Sequence, residues 1–174
     1  MSTGFTDAVN QVIGQDGDAF GLRYAVNHDD ASINSTAGIT VTHALTFNLK
    51  MEADPSLLSS NDLSTEFPAV YFNPVGNFPN IVTRGDHSEL MFTVDVYVVA
   101  ENTNDTSPRE AGRLLAAKVI ENVMGTDKLE LAWIDSVECL GVLDDPFTQQ
   151  LHLLLPRLYA GGARFVVNAR GLSW

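Results

Sequence analysis

Residues 89–125 read ELMFTVDVYVVAENTNDTSPREAGRLLAAKVIENVMG, and the change of period inside this stretch decides the fold. Leu90, Phe92, Val94, Val96 and Val98 alternate with Met91, Thr93, Asp95 and Tyr97. A period of two sends successive side chains to opposite faces of a sheet, so a strand is predicted over 89–100. The pattern then breaks at a helix start. Ser107 can cap a free backbone N–H, Pro108 suits the first helical position, and Glu110 stands where a capping box puts its carboxylate. Ala111, Leu114, Leu115, Val119 and Val123 follow at helical spacing as an apolar stripe, and Gly125 is a natural stop.

Working outward, Leu131 to Leu143 and Gln150 to Leu155 carry strand-like apolar runs, separated by the turn signal Asp144-Asp145-Pro146. A last strand is predicted over Ala163 to Arg170, after Gly161-Gly162. Upstream, Phe67 to Phe72 reads as a short strand near a rim, because Pro68 and Pro74 bracket it and proline is confined to strand edges and ends. Gly76 to Gly85 reads as a loop. Ile39, Val41, His43, Leu45, Phe47, Leu49 and Met51 alternate strictly with polar residues and Ala44, which predicts a long strand over 39–51. Asp16 to Gly38 is polar, with a short apolar piece at Phe20 to Val26 read as a strand, and Phe5 to Ile13 has the spacing of a short amphipathic helix. The order predicts an α+β fold, a single domain over 1–174. It has an antiparallel or mixed β-sheet with helices packed on one face. Residues 15–66 form an extra strand or hairpin arm near the N-terminus.

Composition narrows the function classes. Apolar residues make up 45 % of the chain and charged residues 18 %, enough to bury a core and too little charge for a disordered segment. The longest apolar stretch, Leu90 to Ala100, is broken by Asp95 and falls short of the ~20 residues a membrane helix needs. Met1 to Asn10 carry no basic group and no apolar run, which predicts no signal peptide. Cys139 is alone, in keeping with a reducing cytoplasm. The net charge of −12 predicts repulsion of nucleic acid. That charge is unevenly spread. Residues 1–145 hold all 22 acids against 7 bases, while the last 29 residues hold Arg157, Arg164 and Arg170 and no acid. These three arginines are the candidate subunit interface, a basic edge that meets the acidic face of a neighbouring copy.

Other residue groups carry weaker signals. His28-Asp29-Asp30 lies in a polar loop with no second ligand pair at fixed spacing, so no metal site is predicted. Asp86-His87-Ser88-Glu89 has the residue types of a hydrolase triad, but neighbours in a strand point to opposite faces and cannot converge. His43 reads as a half-buried packing residue, Cys139 as a small hydrophobe, and Trp133 and Trp174 as core or interface anchors. Gly161-Gly162 lacks the spacing of a phosphate cradle. No catalytic, cofactor-binding or metal residue is predicted, and no cofactor.

The succession of the short N-terminal helix, Phe67-Pro68-Ala69-Val70-Tyr71-Phe72, the strand Glu89 to Ala100, the helix Pro108 to Met124, the strand around Val137 and the closing strand Ala163 to Arg170 resembles the layout of tail terminator (tail completion) proteins of long-tailed bacteriophages. The likeness is one of topology over about 67–174, and residues 15–66 are larger than that layout needs. The resemblance implies a structural virion protein rather than an enzyme. It implies a homohexameric ring in the tail or neck, made in the host cytoplasm, that caps the tail tube and joins it to the head–tail connector. Its partners would be its own copies, the tail tube protein and the connector protein, with DNA passing through unbound and no membrane involved. Another neck, tail-tube or baseplate subunit shares the same profile. A small-molecule binding module or an unfamiliar enzyme would need a pocket with convergent polar groups.

Overall fold

The computed structural model describes residues 5–15, 17–27, 46–47, 69–76, 79–84, 87–101, 107–143 and 158–170. The elements in chain order are α1 (Phe5–Ile13), α2 (Gly21–Asn27), β1 (Thr46–Phe47), β2 (Ala69–Pro74), β3 (Asn80–Arg84), β4 (His87–Glu101), α3 (Pro108–Gly125), β5 (Ile134–Val142) and β6 (Leu158–Arg170). The strands form one sheet in the order β1-β2-β4-β6-β5, with β3 also on β4. Every pairing is antiparallel except that of β1 with β2, and the fold is α+β.

The alternation that predicted β4 is the alternation of its burial. Leu90, Phe92, Val94, Val96 and Val98 are buried towards the helices. They stand in register with Ala169, Val167, Phe165, Ala163 and Gly161 of β6. The β4–β6 ladder runs without interruption from Glu89↔Arg170 to Glu101↔Leu158, so the last strand in sequence sits between β4 and β5. Each large aliphatic or aromatic side chain fully buried here is worth about 1.5–3 kcal/mol.

Helix α3 lies directly on β6. Ser107 caps it as predicted, its Oγ accepting from the Glu110 N–H at 3.3 Å. A Cβ on Gly112 would stand 2.5 Å from the Ala160 carbonyl oxygen. One on Gly161 would run into the Gly112 carbonyl and lie 2.8 Å from the Ala116 nitrogen. Backbone therefore packs on backbone here, and only glycine fits. This close approach turns Ala111, Leu115, Ala116, Val119 and Val123 inward. Leu114, predicted for the apolar stripe, is exposed instead, because the face that meets β6 is centred on the small residues Gly112 and Ala116.

Helices α1 and α2 close the same side. Ala8, Val12, Leu22, Ala25 and Val26 are buried in the common core. The Asn122 amide of α3 donates to the Val26 carbonyl at 3.1 Å. Trp133 donates to Gln11 Oε1 at 2.9 Å and meets Phe92 edge to face, ring centroids 6.3 Å apart. The helices thus pack on one face of the sheet, as predicted.

Three expectations need correction. The apolar piece Phe20 to Val26 falls, but for Phe20, in helix α2 (Gly21–Asn27) rather than in a strand: Leu22, Ala25 and Val26 are spaced to bury one helical face, a pattern too short to separate from a strand by sequence. The predicted loop Gly76 to Gly85 contains strand β3, whose Ile81-Val82-Thr83 run is β-branched and pairs back onto β4 through Arg84↔His87. The final strand begins at Leu158, five residues before Ala163, so Gly161-Gly162 lie inside it. Of the long strand predicted over 39–51, Thr46–Phe47 is described, pairing parallel with β2. The rest of it, His28, His43, Gln150 to Leu155 and Trp174 lie outside the described residues.

Gly161→Ala is expected to lower stability by about 1–3 kcal/mol through overpacking at the helix–sheet contact. Gly125→Ala, where an added Cβ meets nothing within 4 Å, should be neutral or stabilising by up to about 1 kcal/mol. Denaturant midpoints of the two variants against the parent check this; equal midpoints would refute the close-packed contact.

Candidate functional site

The sheet face turned away from the helices gathers the charged residues of the central strands. Asp95 of β4 and Arg164 of β6 are register partners. Arg164 donates from Nε to Asp95 Oδ1 at 2.6 Å and from its terminal nitrogen to Oδ2 at 2.9 Å, a two-pronged pair. The Asp95 carboxylate is 5 % exposed and the Arg164 side chain 39 %. The hydrogen bond to Asp95 holds the guanidinium pKa above its already high ordinary value, against a smaller opposing effect of burial. Further along β6, the Asn168 amide donates to Ser136 Oγ at 3.1 Å and to Glu138 Oε1 at 3.2 Å on β5. At the end of the strand, Arg170 Nε pairs with Asp135 Oδ2 at 2.8 Å, both groups being largely open to water. A ladder of polar contacts therefore crosses β4, β6 and β5.

The three arginines of the predicted interface are separated by this arrangement. Arg164 is engaged in the middle of the sheet, Arg170 is paired at the end of β6, and Arg157 lies outside the described residues. The partners Asp95 and Asp135 both come from the acidic part of the same chain. Asp95 was visible in the sequence as the acid that interrupts an apolar strand. A second strand with one charge at its middle was the available sign of its partner.

The other sequence candidates fall where packing puts them. Ser88 is buried on the helix side of β4 with Leu90, and Glu89 falls on the opposite face in register with Arg170, so these neighbours do not converge. Cys139 is half-buried against the core, and Trp133 anchors α1 to the sheet. Among the described residues, no three His, Cys, Asp or Glu side chains gather as a metal site requires, and no helix is long and apolar enough to cross a membrane.

The Tyr159 hydroxyl is the one buried side-chain polar atom among the described residues without a hydrogen-bond partner, and burial pushes its phenol well above the usual tyrosine range. No family model matches the chain, and neither does any curated protein.

Two predictions follow from these burials. Arg164→Met leaves the Asp95 carboxylate buried and unpaired and should cost about 3 kcal/mol, while Asp95→Leu combined with Arg164→Met should recover most of that loss. Urea titrations of the single and double variants decide it; additive losses would show that the pair is not a unit. Tyr159→Phe should stabilise the chain by about 1 kcal/mol at neutral pH, because it removes an unpaired buried hydroxyl. A phenol pKa raised on folding contributes stability below about pH 10 that is lost as the pH climbs beyond it. The advantage of phenylalanine should therefore widen in alkali, measured by thermal melts at pH 7 and pH 11.

Proposed function

We propose that this chain is a tail terminator of a long-tailed bacteriophage, a structural protein whose copies close into a homohexameric ring. The ring caps the finished tail tube and joins it to the head–tail connector, acting as an assembly part and not as an enzyme. The observation that carries the reading is the element order. A short strand at 69–74 leads to a long alternating strand at 87–101 and a capped helix at 108–125, then to antiparallel strands at 134–142 and 158–170. This is the succession by which the sequence resembles that family.

The physical profile supports it. A ring subunit must keep its shape under load, and one helix seated backbone to backbone on a long antiparallel ladder is a stiff unit. A passage for DNA works best when its wall repels phosphate, and a net charge of −12 supplies that repulsion. Exposed acids such as Glu110, Asp127 and Glu130 remain on the helical side after Arg164 and Arg170 are neutralised within the sheet.

Solution mass of the purified chain together with negative-stain images tests the reading. A species of six chain masses with a central hole is the expected result. A monomer at all concentrations would overturn it, and long tubes would replace it with a tail-tube subunit.

A further inference from the structure

Strands β3 and β5 bound the sheet on opposite sides, and they carry four of the six large apolar side chains exposed among the described residues. Ile81 and Val82 of β3 are 45 % and 38 % exposed, and Leu140 and Val142 of β5 are 60 % and 52 % exposed. Among the described residues, β3 pairs only with β4 and β5 only with β6. Among the described residues each therefore presents an outward row of backbone N–H and C=O groups that no strand covers. Such a row states what covers it in a way that a bare apolar patch does not, because an extended strand satisfies it.

The two edges are complementary in direction and in residue type. Since β3 runs against β4, β4 against β6 and β6 against β5, strands β3 and β5 have opposite directions. A second copy that continues the sheet brings its β3 antiparallel to β5 of the first. One register matches both sides. With Val82 opposite Leu140, the register brings the position of Arg84 opposite that of Glu138, a basic residue against an acidic one in sequence. Val82 is in register with Glu89, and Glu138 with Val166, which places Val82 and Glu138 on the face away from the helices. The bulge of β5 between Cys139 and Gly141 takes up one extra residue, and Ile81 then meets Val142 on the helix side.

We propose that β5 of one copy pairs antiparallel with β3 of a second copy of this chain, Leu140 against Val82 and Glu138 against Arg84. The inference deepens the ring reading and rests on it for closure. Two different edges make a head-to-tail contact, which closes as a ring or runs on as a filament according to the rotation between copies.

Disulfide trapping tests the seam directly. In a Cys139→Ala background, Val82→Cys with Leu140→Cys should give a ladder of covalent oligomers under mild oxidation. Opposed residues of an antiparallel pair lie within disulfide reach, whereas within one chain the two positions are on opposite edges of the sheet. Each single cysteine variant should stay monomeric on a non-reducing gel. Glu138→Lys should weaken association about tenfold, and adding Arg84→Glu should restore it. Rings that form without cross-linking would overturn the seam and leave the ring reading standing. Filaments that cross-link would uphold the seam and overturn closure. Dimers from Leu140→Cys alone would replace it with a two-fold β5–β5 contact, and a parent chain that stays monomeric would overturn both.

Discussion

The contact between Gly112 and Gly161 governs the rest of this molecule. Without side chains between them, the backbones of α3 and β6 come closer than any pair with Cβ atoms allows. That approach sets the rotation of α3, and the rotation decides which residues of the helix are core. It turns Asn122 towards α2, where its amide satisfies the Val26 carbonyl, and so fixes where the N-terminal helices dock. It also holds β6 against the helix layer along the same stretch in which β6 pairs with β4, so the helix and the central ladder are fixed by one set of residues. The chain leaves α3 through an abrupt turn in which Lys128, Leu129 and Glu130 all have positive φ. Such backbone costs about 1–2 kcal/mol per residue, and the full burial of Leu129 holds the turn in place.

With every described helix on one side, the second face of the sheet carries the polar pairs, beside the buried Val99 and Val166. The uneven charge along the chain is resolved there by topology. The basic C-terminal strand is inserted between two strands from the acidic part, and Arg164 and Arg170 find Asp95 and Asp135 within the same fold. A contrast in sequence between a basic tail and an acidic body is thus not in itself a contrast between surfaces. The net charge of the chain remains acidic, which discourages contact with phosphate.

Much of the architecture was legible in the residues. The alternation in β4 and the Ser107-Pro108 start of α3 are local signals with local causes, and both stand where they were read. Leu114 was misplaced because periodicity gives the width of an apolar stripe but not its centre, which a glycine on another strand decides. Strand β3 was hidden because turn residues flank it and because it exists by pairing with β4 rather than by its own alternation. Helix α2 was hidden for the opposite reason: its few apolar residues fit two periods, and packing against α3 chose one. The Asp95–Arg164 pair needed register, and register is a property of two strands read together.

The same distinction bears on assembly. Along one edge of β4 the neighbouring chain is not continuous: between Pro74↔Val94 and Asn80↔Met91 it advances six residues while β4 advances three. Three extra residues there divide the edge into β2, which carries β1, and β3, whose outer side meets no other described strand. On the far edge, β5 departs twice from regular pairing with β6, at Ile134/Ser136 and at Cys139/Gly141. Bulges commonly twist an edge away from unwanted partners, yet here the second one leaves Leu140 and Val142 exposed just beside it. An irregular edge of this kind restricts the registers in which a further strand can pair. In the ring proposed above, the joining of copies rests on these edges rather than on the faces of the sheet.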